Sequence, residues 1–380
     1  MKLFSFQKTI KQKFDWLGKS LLFSINQEPK SKNISIDEAR IFRKALSDKA
    51  QAKYTEKLCV FFSFYSTKKN SPQVHNLVKN YMDLMHKPME NVDNLSKIVF
   101  DDDSQVSYLH AIHYYSEDTA SGKHPEKPQI HINVVPFRYF RKMLNEVYNK
   151  CERPPKDDFF HEDSNFAETI NSLVGKPGFE NIDQTTVEDA QKMDHLINQE
   201  SWLNFFDISI FDIAPIWMAS RNRNYACFEG LFHHTLKIMS INIPKIPVKK
   251  GDSVAFEQDL KNELKKFKIS VKTMNALQIP VAPKFLYFPP NGKHTKDIDN
   301  IVLQTIPKII DILHPPQKWQ KDFDDKESLR GINQYEILKM PYNKHYKDGS
   351  LFITLTNNLS FKSFWDEGYE LLEKEKRHHY

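Results

Sequence analysis

Apolar positions along the chain fall into short strand-like runs and amphipathic helix-like stretches that alternate in a definite order. Phe4, Phe6, Ile10, Phe14 and Leu17 recur at near-helical spacing between lysines and predict a helix over residues 1–20 that packs on a core. Leu21 to Asn26 predicts a strand, and a Pro29–Asn33 loop leads to a helix from Ile36 to about Tyr54, with Ser35 as its cap. Leu58 to Phe64, rich in aromatic and β-branched residues, predicts a buried strand. A helix follows from Gln73 through Met85. Ile98-Val99-Phe100 then runs into an acidic stretch, and two further strands are expected near Ser107–Tyr115 and Gln129–Val135.

The same order returns in the second part of the chain. Ile238 to Asn242 echoes Leu22 to Asn26, and each is followed by a Pro/Lys loop. A helix around Val254–Phe267 stands where the Ile36 helix stood, and Pro280–Phe288 replaces the Leu58 strand. Asp297-Ile298-Asp299-Asn300-Ile301-Val302 takes the place of Gln73-Val74-His75-Asn76-Leu77-Val78. Phe323-Asp324-Asp325 matches Phe100 and its acidic run, and strands at Tyr335–Lys339 and Ser350–Leu355 close the series. The expected fold is therefore α/β of the α+β type, with two small mixed-sheet domains in tandem at residues 1–137 and 236–380. A largely helical connector spans 138–235, since that length is too great for bare loop.

Composition narrows the class. With 27% charged and 40% apolar residues the chain is globular, and its 380 residues suffice for two cores. It has only 10 Gly against 28 Phe, and no phosphate-cradling glycine motif. Its net charge of +5 permits a nucleic-acid partner without requiring one. Cys59, Cys151 and Cys227 are odd in number and far apart, which argues against a disulfide framework or zinc site and suits a reducing cytoplasm. No signal peptide or membrane span is expected, since Asp207, Asp212 and Pro215 interrupt the most apolar window, Phe205–Ala219.

The chemistry concentrates at Asp297 and Asp299. If extended backbone returns there, side chains two apart point the same way, and the two carboxylates converge on a divalent ion. The ordered set of Asp297, Asp299, Asn300, Asp324, Asp325, Lys339-Met340-Pro341 and Gly349–Leu355 resembles the RusA family of Holliday junction resolvases. The first half carries the family's acidic signature as Asp102-Asp103-Ser104-Gln105-Val106, with Asn76 and Lys79 in its helix motif.

The resemblance implies a metal-dependent, structure-selective DNA endonuclease of recombination and repair, in which three acidic side chains hold Mg2+ or Mn2+ at the scissile phosphate and a helix lysine assists. A divergent tandem duplication would make the chain a pseudo-dimer. On this reading Asp297, Asp299 and Asp325 are catalytic and hold the metal together with Asp324. Lys68, Lys69, Lys79, Lys293, Lys296, Lys344 and Lys347 are candidates to hold branched DNA. The departures are complementary. The first half has Gln73 and His75 for the two motif aspartates and retains Asp103, a degenerate site. The second half has Leu303 in the lysine position and Glu327 for the signature glutamine. The expectation is one active site in the second half on a first-half scaffold. The alternatives are a branched-DNA-binding protein that does not cut, or an interaction protein with no nuclease activity.

Overall fold

The computed structural model describes residues 19–32, 34–50, 53–68, 71–89, 92–93, 97–115, 127–150, 177, 187, 207–223, 240–247, 253–270, 281–292, 296–313, 332–358 and 361–377. The helix expected at residues 1–20 lies almost wholly outside them, and so do Lys69, Lys293, Asp324, Asp325 and most of the connector. In chain order the described elements are β1 (Leu21–Ile25), α1 (Ile36–Lys49), β2 (Leu58–Ser66), α2 (Val74–His86), β3 (Val106–Tyr115), β4 (Gln129–Pro136), α3 (Phe137–Lys150), α4 (Ile210–Arg221), β5 (Ile241–Ile243), α5 (Ser253–Ser270), β6 (Val281–Phe288), α6 (Ile298–Leu313), β7 (Gln334–Lys339), β8 (Ser350–Asn357) and α7 (Phe364–Arg377).

The strands form one continuous mixed sheet in the order β1-β4-β2-β3-β7-β6-β8-β5. Sequence reading anticipated two small mixed sheets paired about a pseudo-twofold axis; the strands of both halves form one continuous hydrogen-bonded sheet. Within each half the pairing follows one scheme. The first strand lies antiparallel to the fourth, the fourth antiparallel to the second, and the second parallel to the third. The halves meet where β3 pairs antiparallel with β7, from Tyr108↔Leu338 to Ile112↔Gln334. Pro283 of β6 lies before the stretch paired with β7, which runs from Lys284 to Tyr287, and is opposite Leu355 in the pairing with β8.

Alternation along the strands gives the sheet two apolar faces, and helices cover both. Leu58, Val60, Phe62 and Phe64 of β2 face one core together with Phe42, Leu46, Tyr81, Leu260, Ile301 and Ile306 from α1, α2, α5 and α6. Cys59 of β2 and Tyr108 of β3 face the other, with Phe140, Ile213, Trp217 and Phe364 from α3, α4 and α7. The metal-binding candidates stand beside the first core. There Ser35 begins α1 with a capping box to Glu38, and the buried Arg43 donates to Asp93 and to the Leu84 and Lys87 carbonyls, which fixes α1 against the end of α2.

The second core contains a charge cluster that no motif announced. Lys284 is fully buried, and its Nζ lies 3.0 Å from Asp207, 3.2 Å from Glu367 and 3.8 Å from Glu336, while donating at 3.0 Å to the Ile208 carbonyl. One ammonium thus holds the stretch before α4, the start of α7 and the strand β7 to the sheet. Helix α7 was not anticipated, although Ser363 caps it at the Asp366 N–H and acidic residues fill its first turn.

Lys284→Met should destabilise the protein by about 3–5 kcal/mol near neutral pH, the usual cost of orphaning a buried ion pair, as read by chemical denaturation. Burial pushes the Glu336 carboxyl up to about 8 and that of Glu367 to about 7, each held back by Lys284. Both would rise further in the variant, so the deficit should shrink as the solution is acidified and these carboxyls take up protons.

Candidate metal centre

Three carboxylates from two distant parts of the chain meet at the junction of the halves. Asp103, Asp297 and Asp299 each offer an oxygen, and these oxygens lie within 4.8 Å of one another, a group that could hold a metal ion. Asp297 immediately precedes α6, and Asp299 lies in its first turn, where negative charge suits the exposed N–H groups and helix dipole. The two acids therefore converge at a helix start, with Asp299 already in helical backbone where extended backbone was anticipated. The Asn300 amide N–H donates to Asp299 Oδ1 at 2.8 Å, and the Asn300 side chain approaches Asp297 Oδ2 at 3.4 Å. The first contact comes from the backbone, so the asparagine side chain itself bears on Asp297 alone.

Asp103 comes from the other half, on a 3-10 turn over Asp103–Gln105 that leads directly into β3. Two neighbours fix that turn. Asp102 accepts from the Ser104 N–H at 2.7 Å. The Gln105 amide accepts from the Asp101 and Asp102 N–H groups and donates to the Tyr54 and Glu56 carbonyls, each of these last two at 3.1 Å. Gln105 is thus a positioning residue.

The Asp103 carboxylate is 6% exposed, and its Oδ1 has no hydrogen-bond partner. His86 Nδ1 lies 3.1 Å from that oxygen but also 2.9 Å from the Met82 carbonyl. A carbonyl can only accept, so Nδ1 carries its hydrogen and directs it toward Met82. A buried carboxylate oxygen left over in this way, beside two further carboxylates, is suited to a hard divalent cation with oxygen ligands.

The charge is balanced in part by Lys79 of α2. Its Nζ lies 2.8 Å from Asp299 Oδ2, 3.3 Å from Asp83 and 3.6 Å from Asp103 Oδ2. Burial of the cluster, then the Asp299 charge, push the Asp103 carboxyl up to about 6, with His86 and Lys79 pulling the other way. Asp297 is raised by burial and by Asp299 and Asp102, against Lys79 and Lys339. Burial disfavours the Lys79 charge, yet the carboxylates around it outweigh that and hold it as an ammonium.

The other residues singled out from sequence are placed differently. His75 is 3% exposed, and burial brings it down to about 4, so it stays neutral; its Nδ1 has no hydrogen-bond partner. Gln73 precedes α2 without a capping hydrogen bond from its side chain. Lys296 is directed at Gln304. Lys68, Lys344 and Lys347 are exposed. Asp324 and Asp325 fall outside the described residues, as do Lys69 and Lys293. Sequence reading missed the alliance of Asp103 with the second-half pair and the part of Asp83. Only the i,i+4 spacing of Lys79 and Asp83 could have signalled the latter.

No helix among the described residues is long and apolar enough to cross a membrane. Comparison with protein families, with characterised proteins and with solved structures returned no match.

Two outcomes are expected. The Asp103 carboxyl ordinarily titrates at 3.8 and is raised to about 6 in the fold, so its contribution is complete below the lower value and lost as pH rises through the higher. Asp103→Asn should accordingly melt higher than the metal-free parent above about pH 6, and the gap should close towards about pH 4. Because Lys79 occupies Asp299 Oδ2, Lys79→Met should bind Mn2+ more tightly in calorimetry, and a weaker affinity would contradict that competition.

Proposed function

We propose that the protein is a metal-dependent endonuclease that incises branched DNA, as the RusA-like residues imply, with Mg2+ or Mn2+ held by Asp103, Asp297 and Asp299. The observation that carries this reading is the convergence of those three carboxylates with an ammonium at their edge. A hard divalent ion bound there supplies charge neutralisation at a phosphate and lowers the pKa of a coordinated water. The chain supplies the rest. Asn300 and the Gln105-fixed turn orient the carboxylates, His86 backs Asp103, and Lys79 offers a positive charge to the phosphate. Exposed Lys344 and Lys347 are candidates for holding the DNA backbone, a sequence-independent role.

The same reading accounts for the sheet. Two copies of one β1-β4-β2-β3 arrangement, joined through their equivalent third strands in antiparallel fashion, are what a tandem duplication would give if it kept a twofold dimer interface. The chain is then a pseudo-dimer of two RusA-like domains. A buried free Cys59 suits a reducing, cytoplasmic setting.

The alternative of DNA binding without incision rests on Leu303 and on the changed first-half triad, and Lys79, arriving from the other half, answers the first of these. Incubating labelled four-way and linear DNA with Mg2+ or Mn2+ should yield incision of the branched substrate, and Asp299→Asn and Asp103→Asn should each reduce it by about 100-fold or more, since even outer-shell supports of metal ligands are worth about 10–100-fold. Tight branched-DNA binding with no cutting under either ion would transfer support to the non-cutting reading.

A further inference from the structure

We infer that the chain has a single incision centre, shared between its halves, and that it therefore cuts one strand of a branched DNA per encounter where a two-centre resolvase cuts two. This rests on the nuclease reading above. The grounds are the positions that the sheet's repeated pairing scheme makes equivalent. Helices α2 and α6 begin at Val74 and Ile298, so Gln73 and His75 correspond to Asp297 and Asp299, and Leu303 corresponds to Lys79. The assembled centre takes its paired aspartates from the second half and both Asp103 and Lys79 from the first.

A mate built by the same rule would take its paired residues from the first half and its lysine from the second. It would receive Gln73, His75 and Leu303. An amide and a buried neutral imidazole do not replace two carboxylates on a hard cation, and a leucine carries no charge. Counted by halves, both are defective. Counted by centres, one has its paired acids, third acid and lysine, and the other lacks three of the four.

Each incision adds one water across a phosphodiester: the water oxygen bonds phosphorus, the bond to the leaving sugar oxygen breaks, and that oxygen takes a proton. Nothing else is consumed and the centre is regenerated, so one centre makes one cut at a time and a second cut requires a second engagement.

The test uses the full chain with an excess of supercoiled plasmid that extrudes a four-way junction, in Mn2+. Nicked circles are expected as the first product, with linear molecules appearing only after a lag. In a four-way junction with every strand separately labelled, Asp299→Asn from one half and Lys79→Met from the other should each depress incision of all strands to the same extent. Linear product at the initial rate, or undiminished cutting of one strand in either variant, overturns the single-centre inference and leaves the nuclease reading intact. Failure of the parent protein to incise any strand overturns the nuclease reading and this inference with it.

Discussion

The pairing of β3 with β7 is the constraint on which the remaining arrangement depends. It spans five residue pairs at the middle of the sheet, with Asp103 three residues before the start of β3 and β6 alongside β7 leading towards Asp297. Strand register is quantised, and a slip that keeps the same faces inward moves a strand by two residues, about 7 Å. The three carboxylate oxygens lie within 4.8 Å of one another, so no such slip would leave the cluster assembled. The two cores enforce the register from both faces. Ile337 belongs to one and Leu338 to the other, and a shift of one residue would exchange them.

The two charge clusters make an instructive pair, because their ingredients are nearly the same. Each brings three carboxylates around one lysine, on opposite faces of the sheet. At Lys284 the Glu336 carboxylate accepts from the Tyr108 hydroxyl at 2.6 Å and from the Phe364 N–H, and the ammonium is saturated by carboxylates and a backbone carbonyl. That cluster is a structural fastening around a fully buried ammonium, with Asp207 at its partly exposed edge. At Lys79 one Asp103 oxygen has no partner, Asp297 is only partly buried, and the lysine is 22% exposed. Composition does not distinguish a site from a fastening here; the approach of three carboxylate oxygens to within 4.8 Å of one another, at Asp103, Asp297 and Asp299, does.

Much of the secondary structure was legible because it rests on local patterns. Leu58 to Ser66 alternates faces along its length, and Ser35 with Glu38 announces a helix start. The repeat was legible for the same reason, since equivalent elements keep equivalent apolar faces. What could not be read was which carboxylates share a centre. Asp103 and Asp297 are far apart in sequence, and their meeting is a property of strand order, to which a one-dimensional pattern is blind. Grouping acids within each half therefore placed Asp103 with Gln73 and His75, apart from Asp297 and Asp299, whose expected partner Asp325 lies outside the described residues. Lys284 escaped notice because a single lysine in a run of apolar residues carries no periodic signal, and its partners come from three separate segments.

The seam between the halves also bears on how such a chain can change over time. In an assembly of two identical chains every substitution occurs twice, so loss of one lysine damages both centres at once. On the duplication reading, covalent continuity removes that coupling. A change at position 303 is felt in one place, a change at position 79 in another, and drift can empty one centre while selection preserves its neighbour. Interleaving the contributions then prevents either half from being discarded. The half that carries Gln73 and His75 still supplies Asp103 and Lys79, and a cluster assembled across the β3–β7 junction makes each half the keeper of what the other lacks.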